Sequence, residues 1–171
     1  MTKRQTRSEL VRSNIENAKT SQTHIATVHL GDDMNLAFVI RAAACFGAKS
    51  VMVIGSLPPY RILRQLSVGL NNFVHIQQFS TPELFLQHCR AKDIDVFSIE
   101  LCEGAVSIYD TVFPSDEMVI VTGHETTGVP SVILHKSKPI YIPMPGVGVC
   151  LNTSQAANVA LYEYNRQIKM Q

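Results

Sequence analysis

Two short runs constrain this chain most. Residues 50–54 (SVMVI) and 117–122 (EMVIVT) are almost wholly apolar and rich in β-branched side chains, with no polar residue at alternate positions. A strand that is apolar on both faces must be covered on both faces. That arrangement belongs to parallel sheets flanked by helices. The rest of the chain supplies the flanking pieces. Residues 23–30 (THIATVHL) predict a strand, and Gly31-Asp32-Asp33 breaks it. Asp33 is the expected cap of a helix over 34–46, stopped by Gly47. Residues 55–59 read as a turn and 60–66 as a short helix. Residues 74–76, 94–99 and 139–142 predict further strands. Thr81 and Pro82 start a helix to about Arg90, with proline at its first position. Residues 153–169 form a helical pattern with Ala156, Ala157, Ala160 and Leu161 on one face. Alternating strands and helices predict an α/β domain: a mostly parallel sheet with helices on both faces.

The domain is expected over residues 23–171, preceded by a short helical extension over 1–22. There the sparse apolar residues Leu10, Val11, Ile15 and Ala18 suggest a helix from 8 to 19 packed on the surface. No apolar run reaches about 18 residues, so no membrane span is expected. The first twenty residues are polar and mixed in charge, which predicts a cytoplasmic protein. The four cysteines form no C-x-x-C pair, and the six histidines have no ligand spacing, so no metal is expected. A net charge of +1 does not by itself point to nucleic acid.

In open parallel sheets, ligands bind beyond the carboxyl ends of the strands. That rule selects the loops 31–35, 123–130 and 143–152. The first leads into a helix carrying Arg41, six residues after Asn35 in an otherwise apolar stretch. A guanidinium there is either a structural ion pair or snorkelling side chain, or a ligand for phosphate. The second loop, Gly123-His124-Glu125-Thr126-Thr127-Gly128-Val129-Pro130, has two glycines that permit a sharp turn and close approach to a ligand. Glu125 either binds a ligand or ties the loop by accepting backbone N–H groups, and His124 is either a base or a solvated loop residue. The third loop holds Pro143, Pro145, Gly146 and Gly148, then Cys150-Leu151-Asn152-Thr153-Ser154. Asn152 or Thr153 can cap the following helix. Cys150 reads as a buried inert thiol or a nucleophile, with no partner base nearby in sequence.

Together the three segments resemble the SpoU/TrmH family of S-adenosylmethionine-dependent RNA 2′-O-methyltransferases, in the SPOUT class. The family's first motif is similar to Asn35…Arg41…Phe46-Gly47. Its second motif resembles Gly123-x-Glu125-x-x-Gly128-Val129-Pro130. Its third motif resembles Ile142-Pro143-Met144…Leu151-Asn152-x-Ser154-x-Ala156, followed by Tyr162-Glu163 and Arg166-Gln167. The likeness runs over about residues 23–167. It implies a C-terminal deep trefoil knot and a homodimer whose contact comes from the 35–47 and C-terminal helices. It also implies a bent S-adenosylmethionine held by Ile99, Glu100, Leu101, Thr122, Gly123, Gly128, Ile142, Met144, Cys150 and Leu151. Arg41 would lie near the target ribose and phosphate, with Asn35, Glu125, Asn152 and Ser154 orienting it and the loops. The sequence departs from the family where Cys150 replaces a usual Ser before Leu-Asn.

For RNA contact the candidates are a basic segment from Lys3 to Arg12, the pair Arg61 and Arg64, and the pair Lys136 and Lys138. With little accessory surface, a tRNA loop is the favoured substrate and ribosomal RNA the other. The competing readings are a non-catalytic RNA- or cofactor-binding protein of the same fold, and an unrelated nucleotide-binding α/β protein. No Walker or G-x-G-x-x-G fingerprint supports the latter.

Overall fold

The computed structural model describes residues 6–29 and 32–169. Lys3, Arg4, Leu30 and Gly31, singled out above, lie outside the described residues. Helix α1 (Arg7–Asn17) starts at a capping box in which Thr6 and Glu9 exchange backbone and side-chain hydrogen bonds. Its described side chains are all exposed, with Leu10, Val11 and Ile15 at 44%, 49% and 53%. The expectation of a surface-packed helix is therefore corrected. The helix is held by its cap and stands clear of the core, because its apolar residues are too few to bury a face.

Strand β1 (Thr23–His29) then enters the domain. Helix α2 (Asp33–Phe46) follows, capped by Asp32 rather than Asp33, since the Asp32 carboxylate accepts the N–H groups of Met34 and Asn35. Gly47, at φ +67°, ends it in the left-handed conformation that glycine favours. Next come β2 (Ser50–Gly55), α3 (Tyr60–Leu66), a 3₁₀ turn (Leu70–Asn72) and β3 (His75–Phe79). Helix α4 (Pro82–Ala91) is capped by Thr81 as expected. It leads to β4 (Asp95–Ile99), β5 (Val106–Ser107) and β6 (Met118–Thr122). The chain closes with α5 (Ser131–Leu134), β7 (Lys138–Tyr141) and α6 (Thr153–Lys169).

The seven strands form one sheet in the order β3-β2-β1-β6-β4-β7-β5, and every pairing is parallel. Alternate residues of the central strands serve two cores. Ile25, Val51, Val53, Met118 and Ile120 pack under α2, α3 and α6 with Leu36, Val39, Ile40, Leu63, Ala157, Leu161 and Tyr164. Ala26, Met52, Ile54, Val119 and Val121 face the other way, onto Phe85 and Cys89 of α4 and Ile133 of α5. This two-sided burial is what the unbroken apolar runs predict. Strand β3 begins later and runs longer than expected, and its exposed and half-buried polar residues fit its place at the sheet edge. Among the described residues, no helix is long and apolar enough to cross a membrane.

Candidate functional site

The chain runs outward from β1 to β2 and β3, then returns to the other side of β1, so the strand order reverses between β1 and β6 while all strands stay parallel. Beyond the carboxyl ends of the adjacent strands β6, β4 and β7 lies a cleft of about 610 Å³. That is within the range of cofactor-sized sites. Ile99, Glu100 and Leu101 line it after β4, and Thr122, Gly123 and Gly128 after β6. Ile142, Met144, Cys150 and Leu151 line it after β7. Every residue that the family resemblance assigned to the cofactor therefore reaches one cavity. Tyr141 and Val149 also line it and were not singled out in the sequence; Thr153 and Ala156, named there for the helix cap and the third motif, line it too.

Beside the cleft, side chains from the three loops form one hydrogen-bonded chain. The Asn35 amide donates to Asp32 Oδ2 at 2.9 Å and to Glu125 Oε1 at 2.5 Å. Asn152 donates to Asn35 Oδ1 at 2.9 Å, and Asn152 Oδ1 accepts from the backbone N–H and hydroxyl of Ser154 at 2.9 and 2.7 Å. Asn152 thus caps α6 with its oxygen and holds α2 with its amide. Thr153 donates to the Gly123 carbonyl at 3.0 Å, joining the start of α6 to the end of β6. Asn35, Thr153 and Ser154 are buried, so these bonds form with little competition from water. Asp32 takes part in this chain but was not expected to.

The second loop closes on itself. His124 and Gly128 exchange backbone hydrogen bonds at 3.0 and 2.9 Å, and Gly128 sits at φ +68°. A Cβ on Gly123 would collide with the Gly128 and Val129 backbone, and one on Gly128 with the Glu100 carboxylate. The close approach these glycines permit is therefore between parts of the protein. It is Glu100, rather than Glu125, that accepts a backbone N–H of this loop, from Val129 at 2.9 Å. His124 Nδ1 accepts from the Thr126 N–H at 3.2 Å, which turns that nitrogen inward to the loop.

Arg41 does not line the cleft. Its guanidinium lies 5.5 Å from the Phe38 ring centroid, and it makes no ion pair with the described residues. Of the readings open for Arg41, a structural ion pair is not formed among the described residues. Cys150 is exposed, which corrects the expectation of a buried thiol: the strand-to-helix loop that carries it bulges over the cleft. The inert thiol of the molecule is Cys89, buried under β3 and pushed up to about 12 by that burial. Among the described residues no cluster of three or more His, Cys, Asp or Glu could hold a metal ion.

Comparison with known proteins gives this arrangement a context. The chain is 34% identical over 149 residues to a 23S rRNA (guanosine-2′-O-)-methyltransferase of Acinetobacter baylyi, covering 84% of this chain and 59% of that protein. It is 25% identical over 134 residues to the tRNA (guanosine(18)-2′-O)-methyltransferase of Escherichia coli, covering 78% of this chain and 58% of the relative. The chain therefore spans somewhat over half the length of these relatives. An AdoMet-bound rRNA methyltransferase from Sinorhizobium meliloti shares the fold at a TM-score of 0.79 and 24% identity, over 88% of this chain and 58% of that one. The pattern of the SpoU rRNA Methylase family matches residues 22–162, and the chain belongs to that family.

Proposed function

We propose that this protein transfers a methyl group from S-adenosylmethionine to a ribose 2′-hydroxyl of RNA. The observation that carries the reading is the convergence of the connections after β4, β6 and β7 on one cleft, bordered by the Asn35–Glu125–Asn152–Ser154 chain. The cleft suits the donor in size, and its wall joins exposed apolar side chains, Leu101, Val149 and Leu151, to backbone groups at strand ends. When bound, S-adenosylmethionine supplies an electrophilic methyl group on a sulfonium. In the transfer, a carbon–oxygen bond forms at the 2′-oxygen as the carbon–sulfur bond breaks, and the hydroxyl loses its proton.

In this reading residues 23–171 form the catalytic domain, with a C-terminal trefoil knot, and residues 1–22 are an extension. Asn35, Glu125, Asn152 and Ser154 orient the loops, and Arg41 meets the RNA. A guanidinium stays protonated. Arg41 therefore holds phosphate and stabilises the developing alkoxide, while the proton leaves to phosphate or water. The protein works as a cytoplasmic homodimer. Supporting that, Met34, Phe38, Arg41 and Cys45 follow one stripe of α2, next to exposed Val159 and Tyr162 of α6. A tRNA is the favoured substrate and ribosomal RNA the other, since the relatives named above act on one or the other.

Methyl transfer from labelled S-adenosylmethionine to total tRNA and to ribosomal RNA, followed by mapping of the modified ribose, tests the proposal. Removing the Arg41 charge with Arg41→Ala should lower the rate by roughly a hundredfold or more. A near-full rate in Arg41→Lys, with a new titration near the lysine pKa, would contradict the electrostatic role. Cys150 at the cleft favours a second reading, a cofactor- or RNA-binding protein without activity. Binding of S-adenosylmethionine without transfer to any RNA would support it.

A further inference from the structure

From Met34 to Pro82 the chain contains no aspartate or glutamate, yet it carries Arg41, Lys49, Arg61 and Arg64. All fourteen acidic residues lie outside that span. A chain with a net charge of +1 therefore places a stretch with basic residues and no acidic ones on α2 after Asp33, β2, α3 and β3, toward one edge of the sheet. The basic groups within and around this region differ in what they face. Lys49 is spent on Glu117 at 2.7 Å, and outside the span Lys138 is spent on Asp95 at 2.8 Å. Arg61 and Arg64 are exposed on α3 and make no ion pair with the described residues.

Aromatic rings stand next to these two arginines. Tyr60 is 61% exposed and donates its hydroxyl to Asn72 Oδ1 at 2.8 Å, and Phe73 follows at once with 59% exposure. The first turn of α3 is thereby tied to Asn72, the residue before Phe73, at the end of the 3₁₀ turn. The connection between them is strained. Val68, a β-branched residue, sits at φ +56° and is 60% exposed, with Gly69 at φ +77° behind it. Buried Ser67 and Asn71 hold this conformation through two hydrogen bonds. Strain maintained at an exposed, aromatic and basic turn marks a surface kept for contact.

We infer that Tyr60, Arg61, Arg64 and Phe73 form an anchoring surface for single-stranded RNA, separate from the methyl-transfer cleft. The guanidinium groups take phosphates and the rings take unstacked bases, which is how proteins hold unpaired loops. The inference rests on the RNA methyltransferase reading and deepens it by naming where the substrate is gripped.

The test measures binding of a labelled unstructured RNA and of bulk tRNA across a salt series, with S-adenosylmethionine affinity measured in parallel. Arg61→Glu with Arg64→Glu should weaken RNA binding by roughly tenfold or more. It should also flatten the dependence of log affinity on log salt by about 1.4, two phosphates at about 0.7 each. Tyr60→Ala and Phe73→Ala should each weaken it about tenfold, with the salt slope unchanged. S-adenosylmethionine affinity should stay at the wild-type value in every variant, which also reports that they fold. The exposed pair Arg90→Glu and Lys92→Glu, at the end of α4, is the charge-matched control and should change binding by less than about twofold. Wild-type RNA affinity and slope in the arginine variant, or a loss no larger than the control's, would overturn the anchor while leaving the methyltransferase reading intact. An equal loss of binding to polyglutamate, with no effect of the aromatic variants on RNA, would assign the surface to an acidic protein and also overturn it. If the wild-type protein bound neither RNA nor S-adenosylmethionine, both readings would fall.

Discussion

The two ends of the sheet carry similar side chains to opposite effect. At the amino ends of the strands, His24 of β1 lies between the Ser50 hydroxyl of β2 at 2.6 Å and the Glu117 carboxylate before β6 at 2.8 Å. Ionised Glu117 accepts a hydrogen bond from Nε2–H, so in the neutral ring Nδ1 accepts from the Ser50 hydroxyl. This is the order of a nucleophile, base and carboxylate, yet Ser50 is only 2% exposed and does not line the cleft. At the carboxyl ends, Asn35, Glu125, Asn152 and Ser154 make an equally connected chain, but one bordering an open cleft. The difference lies in the backbone. At the amino ends, Lys49 and Met118 donate backbone N–H groups to Thr23 and Gln22, tying the entries to β2 and β6 against the start of β1. The carboxyl-end loops after β6 and β7 carry Gly123, Gly128, Pro143, Pro145, Gly146 and Gly148 and border the cleft. Reactive-looking geometry becomes a site only where a substrate can enter.

Exchanging single residues tests this contrast, and the largest effect is expected at the open end. Gly123→Ala places a Cβ against the Gly128 and Val129 backbone, an overpacking that costs about 1–3 kcal/mol. S-adenosylmethionine affinity, measured by titration calorimetry, should fall by roughly tenfold to a hundredfold as the loop shifts. At the sealed end, His24→Leu leaves the Ser50 hydroxyl without its partner and should cost about 1–3 kcal/mol of stability. Thermal unfolding should register about 2–4 °C per kcal/mol. Cofactor affinity should be unchanged, and a marked loss would mean the two ends are coupled after all.

Acidification should sharpen the same contrast by a smaller amount. Burial holds His24 below its ordinary 6.5, with Lys49 and His88 reinforcing the shift and Glu117 opposing it. Hydrogen bonds from Lys49 and His24 hold Glu117 below its ordinary 4.5. Both groups bind protons more readily in the unfolded chain, so stability is full at neutral pH. It should decline as the pH falls below about 6.5, and again below about 4.5. Denaturant titrations of wild type and His24→Leu should differ in that first step, which the variant lacks. Least affected of all should be Gly148→Ala, since a Cβ there meets nothing. Its unfolding midpoint should stay within about 2 °C of wild type.

The sheet was legible in the sequence because its strands are buried on both faces, and runs such as SVMVI have no other stable placement. The cap at Thr81 and the stop at Gly47 were legible because their chemistry is local. What escaped depends on contacts distant in sequence. The short strand Val106–Ser107 exists only by pairing with β7, and α5, at four residues, is too brief to show a period. The motif residues could be singled out, but not their mutual bonds. Asn35 lies 90 residues from Glu125 and 117 from Asn152, so only the folded sheet brings them together. Cys150 was misjudged because free cysteine is usually buried, while this one sits on a glycine-rich loop over a cavity.

Amide hydrogen exchange with and without S-adenosylmethionine tests most directly whether the open end is the donor site. Exchange should slow in segments 99–101, 122–128 and 141–151, and stay unchanged around His24, Ser50 and Glu117 at the opposite end. Protection confined to that opposite end, or saturating ligand with no protection in the three loops, would contradict it.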